Sequence, residues 1–242
     1  MNFINHKFTH KDDYKNSCES EAVPYVQKIC NTFIFNLLEI FKDMKKVVLI
    51  GATGTIGKAV HQKLSDKGYD VIATSRKSSP SIDIEHKESI DHFFADRKDL
   101  DAIICAAGDA SFGAFSNLTD EQINIGLNSK LMGQVNICRK ALEALKPNGA
   151  IILTGGIFAH NPWPETTNIA MVNAALEGFV KALALELTEG RRVLVVHPPF
   201  VKETAQAMGM DGSNCPPAME VARVYVLGLE SKETGKVIYV DE

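Results

Sequence analysis

The run from Lys45 to Lys63 constrains the fold of this chain more than any other stretch. Val47-Val48-Leu49-Ile50 reads as a short apolar strand. Gly51-Ala52-Thr53-Gly54-Thr55-Ile56-Gly57 reads as a turn, and Lys58 to Leu64 as the start of a helix. Three glycines at this spacing say little alone. Between an apolar strand and a helix they mark a turn suited to a dinucleotide pyrophosphate. Gly51 allows the sharp exit from the strand. Gly54 has no Cβ, so phosphate oxygens can approach the backbone. Gly57 lets the helix pack closely on the strand, and the helix N-terminus favours an anion through its free N–H groups and dipole. The competing reading is a tight strand-to-helix turn that binds nothing.

Strand and helix patterns alternate from Met44 onward. Strands are expected at 46–50, 70–74, about 81–84, 101–105, 150–154, 192–196 and 236–240. Helices are expected at 56–67, 88–95, 119–146, 167–187 and 217–229, with Asn148-Gly149 and Glu189-Gly190 as stops. Short apolar strands separated by helices predict an α/β fold: a parallel sheet of about seven strands covered on both faces. No stretch is left for a separate substrate domain. The substrate site must therefore come from loops at the carboxyl ends of the strands.

Composition narrows the function classes. The 242 residues are 45% hydrophobic and 23% charged, with a formal net charge of -4. This is an ordinary globular balance, and it carries no basic footprint for nucleic acid. The five cysteines are scattered, and no CxxC or His/Cys spacing points to a metal. Reduced thiols in a cytoplasmic protein are the natural reading. The run Phe33–Phe41 is too short and too interrupted to span a membrane, and Met1–Lys11 lacks the apolar core of a signal peptide.

Residues 1–43 differ from the rest. They contain no glycine, and Val26 to Lys42 carries an apolar stripe at helical spacing. Two readings remain open. Translation starts at Met44, ahead of Lys-Lys-Val-Val-Leu-Ile, or the extension is a docking helix. Residues 44–242 read as a single nucleotide-binding domain.

Several motifs occur in order along that domain. The glycine turn is followed by Ser75-Arg76, Asp83-Ile84, Cys105-Ala106-Ala107-Gly108, Asn173-Ala174-Ala175-Leu176-Glu177-Gly178-Phe179, Val195-Val196-His197-Pro198 and Thr234-Gly235. Together they resemble the short-chain dehydrogenase/reductase family, over essentially all of 44–242, and in particular its small bacterial members. The resemblance implies a Rossmann-like doubly wound sheet that binds NAD or NADP through Gly51, Thr53, Gly54, Thr55, Ile56 and Gly57. It also implies Asp83 and Ile84 at the adenine, Ala106, Ala107 and Gly108 along the ribose, and Pro198, Val201 and Thr204 by the nicotinamide. The second strand ends in Ser75-Arg76-Lys77 rather than in the acidic residue that would take a ribose 2′-hydroxyl. A hydroxyl and cations suit a 2′-phosphate, so NADP is favoured over NAD.

The family's catalytic pattern fails at each of its four positions. Ile169 stands in the place of the tyrosine acid/base, Asn173 in that of the lysine four residues later, and Gly155-Gly156 in that of the serine. Lys130 stands in the place of the asparagine. An isoleucine cannot transfer a proton. The exchange of Lys and Asn between the two helices is reciprocal. Lys130 is thus expected to supply the lost cation from the other side, orienting the nicotinamide ribose or donating a proton if burial lowers its pKa. Thr154 and His160 are further candidate donors, and Trp163 and Phe112 candidate pocket walls. Two readings follow. One is an NADP(H)-dependent oxidoreductase acting on a small carbonyl or enone with an unusual proton donor. The other is a non-catalytic NADP-binding sensor. The resemblance implies a homodimer or homotetramer paired through the two long helices, 119–146 and 167–187; the small residues Ala170, Ala174, Ala175 and Gly178 permit close helix packing either between subunits or within one.

Overall fold

Each central strand is apolar on both of its faces, and the sheet is buried on both. The computed structural model describes residues 45–240, and the expectations for residues 1–43 fall outside them. Six parallel strands form the sheet: β1 (Lys46–Ile50), β2 (Asp70–Thr74), β3 (Leu100–Cys105), β4 (Leu145–Thr154), β5 (Arg192–His197) and β6 (Lys236–Tyr239), in the order β2-β1-β3-β4-β5-β6. Side chains alternate across the pleat. Val48, Ile50, Ile103, Cys105, Ile151, Leu153, Val193 and Val195 meet one helical layer. That layer comprises α2 (Lys87–Phe94), α4 (Gln134–Ala144) and α5 (Thr167–Glu186). Val47, Leu49, Ala102, Ile104, Ala150, Ile152, Leu194 and Val196 meet α1 (Thr55–Asp66) and α7 (Ala218–Glu230) on the other face. Burial of each large aliphatic side chain stabilises the fold by about 1.5–3 kcal/mol.

β2 lies on one side of β1 and β3 on the other, so the chain reverses its direction of travel at β1. The loops leaving β1 and β3 then diverge, and a crevice opens at their carboxyl ends, where doubly wound sheets bind ligands. By length and composition α5 is the one described helix apolar enough to cross a membrane. It serves here as a core helix, with Val172, Leu176 and Val180 fully buried.

The sheet has six strands, not seven. Residues 81–84 make a single bridge, Ser75 to Ser81, in place of the expected strand. The Asp83 N–H donates to Ser89 Oγ at 2.9 Å. A side chain thus satisfies a backbone group that a ladder would otherwise use. The expected helix 119–146 is also divided. A capping box of Thr119 and Gln122 starts α3 (Asp120–Ile125), Gly126–Gly133 is wound as a wider π-helix, and α4 ends at Ala144 where β4 begins. Tight packing accompanies the widening. A Cβ on Gly126 would lie 3.2 Å from Asn168, and one on Gly133 3.0 Å from Ile84. A short helix not expected from the sequence, α6 (Lys202–Ala207), follows β5 and carries Thr204.

Candidate functional site

Two adjoining cavities open at the carboxyl edge of the sheet, and they share Gly108 and Asp109. The first has a volume of about 380 Å³ and is built on the glycine turn. The N–H groups of Gly51 and Ala52 donate to Thr74 O at 2.8 and 3.1 Å, which pins the turn to the end of β2. Gly51 has φ +86°, and a Cβ there would lie 2.5 Å from Ala106 O. A Cβ on Gly57 would lie 2.0 Å from Gly51 O. Both positions therefore require glycine. Gly54 precedes α1 with no side-chain cap, and the first turn of that helix carries no acidic residue. Its N-terminal N–H groups remain free for an anion. These features fit a pyrophosphate.

Gly51, Thr53 and Gly54 line this first cavity, as do Ser75, Arg76, Asp83, Ile84, Ala106, Ala107 and Gly108. Ile56 faces the second cavity instead. Thr55 lines neither cavity, and neither does Gly57, whose part is the close packing just described. Arg76 Nη2 lies 3.1 Å from Asp109 Oδ2 and Nη1 3.7 Å from Glu85 Oε1. Asp109 was not among the sequence candidates, and it holds Arg76 from the loop that follows β3.

The second cavity, about 360 Å³, brings together four positions that the sequence analysis singles out: Lys130, Gly155-Gly156, Ile169 and Asn173. Pro198, Val201 and Thr204 line it from the β5 side. Lys130 sits in the π-helical segment, packed so closely on Gly108 that a Cβ there would lie 2.8 Å from Lys130 Cα and 3.2 Å from its Cβ and Cγ. Gln134, fully buried, holds this segment to β4. Its Nε2 donates to Lys130 O and Thr154 O, both at 2.9 Å, and its Oε1 accepts from Thr154 N at 2.9 Å. Burial pushes the Lys130 pKa down to about 8, against the opposing influence of Cys105 and Asp109. Asn173 is fully buried, and its Nδ2 donates to Gly156 O at 3.3 Å. Its Oδ1 is a buried acceptor with no partner among the described residues.

Side chains at 155 and 156 would meet their neighbours. A Cβ on Gly155 would lie 2.4 Å from His197 Cε1, and one on Gly156 2.9 Å from Asn173 Nδ2. His197 occupies the space that a side chain at 155 would need. Its Nδ1 lies 2.8 Å from Gly156 O, its ring stacks on Tyr239 at 5.1 Å, and its Nε2 lies 3.7 Å from Glu177 Oε1. Burial depresses its pKa, so it is held neutral. This group escaped the sequence reading because a histidine inside an apolar strand gives no signal of its contacts.

Two candidate donors fall outside the cleft. Thr154 Oγ1 is buried 2.9 Å from Tyr225 Oη, and Thr154 lines neither cavity. His160 lies just past a short 3₁₀ turn, exposed, with its ring 5.1 Å from Tyr239. Lys130 and Asn173 are the polar candidates that remain in the cavity.

A glycine turn at a sheet reversal, opening into a side-chain-lined cleft, defines a dinucleotide-binding α/β protein. Residues 51–241 match the sequence model of the family described as enoyl-(acyl carrier protein) reductase. The chain belongs to the short-chain dehydrogenase/reductase family. It is 28% identical over 170 residues to a 3-ketodihydrosphingosine reductase of Bacteroides thetaiotaomicron, over 64% of this chain and 60% of that protein. It is 29% identical over 179 residues to a 3-oxoacyl-(acyl-carrier-protein) reductase of Haemophilus influenzae, over 64% of this chain and 74% of that protein. Among solved structures, a Listeria innocua protein superposes with TM-score 0.77 at 32% identity, covering 81% of this chain and all of that one. A small-chain dehydrogenase in complex with NADPH superposes with TM-score 0.74 at 27% identity, covering 82% of this chain and 97% of that one.

Proposed function

We propose that this chain is an NADP(H)-dependent reductase of a small carbonyl or enone compound, with Lys130 as the proton donor. The observation that carries the reading is the placement of Lys130 and Asn173 in one cleft that adjoins the glycine-turn cavity. Arg76 beside that cavity, and the NADPH held by a structural relative, support NADP over NAD. NADPH, when bound, supplies the hydride.

The protein's own groups divide the remaining work. The glycine turn and Arg76 hold the phosphates. Asn173, fully buried behind the cleft wall, positions Gly156 through its Nδ2. Lys130 carries its proton at neutral pH because its pKa lies near 8. It gives that proton to the developing alkoxide. Ile157, Ile169 and Pro199 keep water from the reacting carbon.

A homo-oligomer fits the exposed face of α5. Met171, Ala174, Ala175, Gly178 and Leu185 are exposed along it, and a Cβ on Gly178 would meet nothing within 4 Å. A homodimer or homotetramer would cover these residues.

The second reading, a non-catalytic NADP sensor, is favoured by Ile169 standing in the cleft where the family places its acid. NADPH titration followed by an oxidation assay over a panel of carbonyls and enones separates the two. The reductase binds NADPH and oxidises it with at least one member. Tight NADPH binding with no turnover across the panel sinks the reductase and favours the sensor.

A further inference from the structure

The second cavity is walled by rings contributed from three loops. Phe112, Phe158 and Phe200 line it. Phe158 meets Phe112 edge-on at 6.0 Å and packs on Phe200 at 6.1 Å, and Trp163 packs on Phe158 at 5.0 Å and on Phe200 at 6.1 Å. Phe158 is buried and anchors the group, whereas Phe112 and Trp163 remain 46% and 51% exposed. Large aromatic side chains left half in water beside a cavity mark a surface that an apolar ligand would cover.

The polar inventory of the same cavity is short. Lys130 is the single cation among its lining residues, and Asp109 is its single anion. A carboxylate or phosphate substrate is held best by a fixed guanidinium fork, and this cleft has none. A volume of about 360 Å³ lies near the low end for small-molecule sites, and part of it must take the nicotinamide.

We infer that the cleft takes a small uncharged carbonyl compound with a planar aromatic or conjugated body. Its oxygen points at Lys130, and its ring lies against Phe112 and Phe158. This substrate class rests on the reductase reading above. In the reaction the carbonyl carbon gains a hydride from NADPH, forming the new C–H bond. The C=O π pair takes the proton of the Lys130 ammonium. The products are an alcohol, NADP⁺ and a neutral lysine that water reprotonates.

Trp163 is the only tryptophan in the chain, so its emission reports ligand binding at this rim without any turnover. The full-length protein saturated with NADP⁺ is titrated with acetophenone, with its saturated counterpart cyclohexyl methyl ketone, and with acetoacetate. Ring-on-ring contact should make acetophenone bind about 5–10-fold more tightly than the saturated ketone. Acetoacetate should not saturate. Phe112→Ala should weaken acetophenone several-fold and leave NADPH affinity unchanged.

Equal affinity for the two ketones, preference for acetoacetate, no binding of any probe, or indifference to Phe112→Ala would each overturn the substrate class. NADPH oxidation with the same three compounds separates this inference from the reading beneath it. Selective acetophenone binding without oxidation keeps the ligand class and removes the reductase. Equal oxidation of both ketones keeps the reductase and removes the ligand class.

Discussion

The two cavities at the sheet edge are built from different materials. The floor of the first is backbone: Gly51, Gly54, Ala106, Ala107 and Gly108 present main-chain atoms, and an added Cβ at Gly51 would strike a carbonyl. The second is built from side chains: Lys130, Ile169, Asn173 and the rings of Phe112, Phe158 and Phe200, with Trp163 packed against Phe158. A backbone cradle admits few residue types, because its dimensions are fixed by main-chain geometry. A side-chain cleft can exchange its chemistry while the fold stays the same. Two glycines of this cleft are matched to their neighbours. Gly155 accompanies the His197 ring, and Gly156 accompanies the Asn173 amide.

Substitutions in the backbone cradle should be the most damaging. Gly51→Val places a branched Cβ where a clash at 2.5 Å already threatens, in a left-handed backbone conformation. NADPH binding, followed by isothermal titration, should fall by more than about 100-fold, beyond what loss of a single hydrogen bond gives. Near-normal affinity would break the contrast between the two cavities.

The coupled glycines come next. Gly155→Ser drives a side chain into the His197 ring and should lower stability by about 1–3 kcal/mol. Adding His197→Ala should recover part of that loss, with a coupling of about 0.5–3 kcal/mol in thermal or urea unfolding. Strict additivity would mean that the two positions do not share the space.

The rim of the first cavity should respond more gently. Arg76→Ala removes a charge-assisted contact to the 2′-phosphate and should weaken NADPH by roughly 10–100-fold, with NADH little changed. Asp109→Asn frees Arg76 and should tighten NADPH a few-fold, the modest effect expected of an exposed ion pair. Equal losses of NADPH and NADH in the Arg76 variant would refute the 2′-phosphate assignment.

The same contrast explains what was legible in the sequence. Gly51, Gly54 and Gly57 could be read because local backbone geometry alone demands them. Five of the six strands could be placed closely because apolar runs between turn residues mark them. The segment 81–84 reads as a strand by residue type, but Ser89 takes the Asp83 N–H and no ladder forms. The break in the long helix depends on Asn168 and Ile84 packing against its glycines, and both are remote in sequence. Thr154 was misplaced because its hydroxyl is claimed by Tyr225, 71 residues away. The ring cluster joins positions 112, 158, 163 and 200, and no local pattern connects them.

The pH dependence of single-turnover NADPH oxidation, compared between the wild type and Lys130→Met, tests the proton-donor assignment most directly. With a carbonyl substrate the wild-type rate should be level below neutral pH. It should fall as pH rises through about 8, as the Lys130 ammonium loses its proton. Lys130→Met should lower the rate by about 10²–10⁴-fold and abolish that inflection, with NADPH affinity retained. A variant that keeps both the rate and the inflection would contradict the assignment of Lys130 as the group that replaces the family's tyrosine.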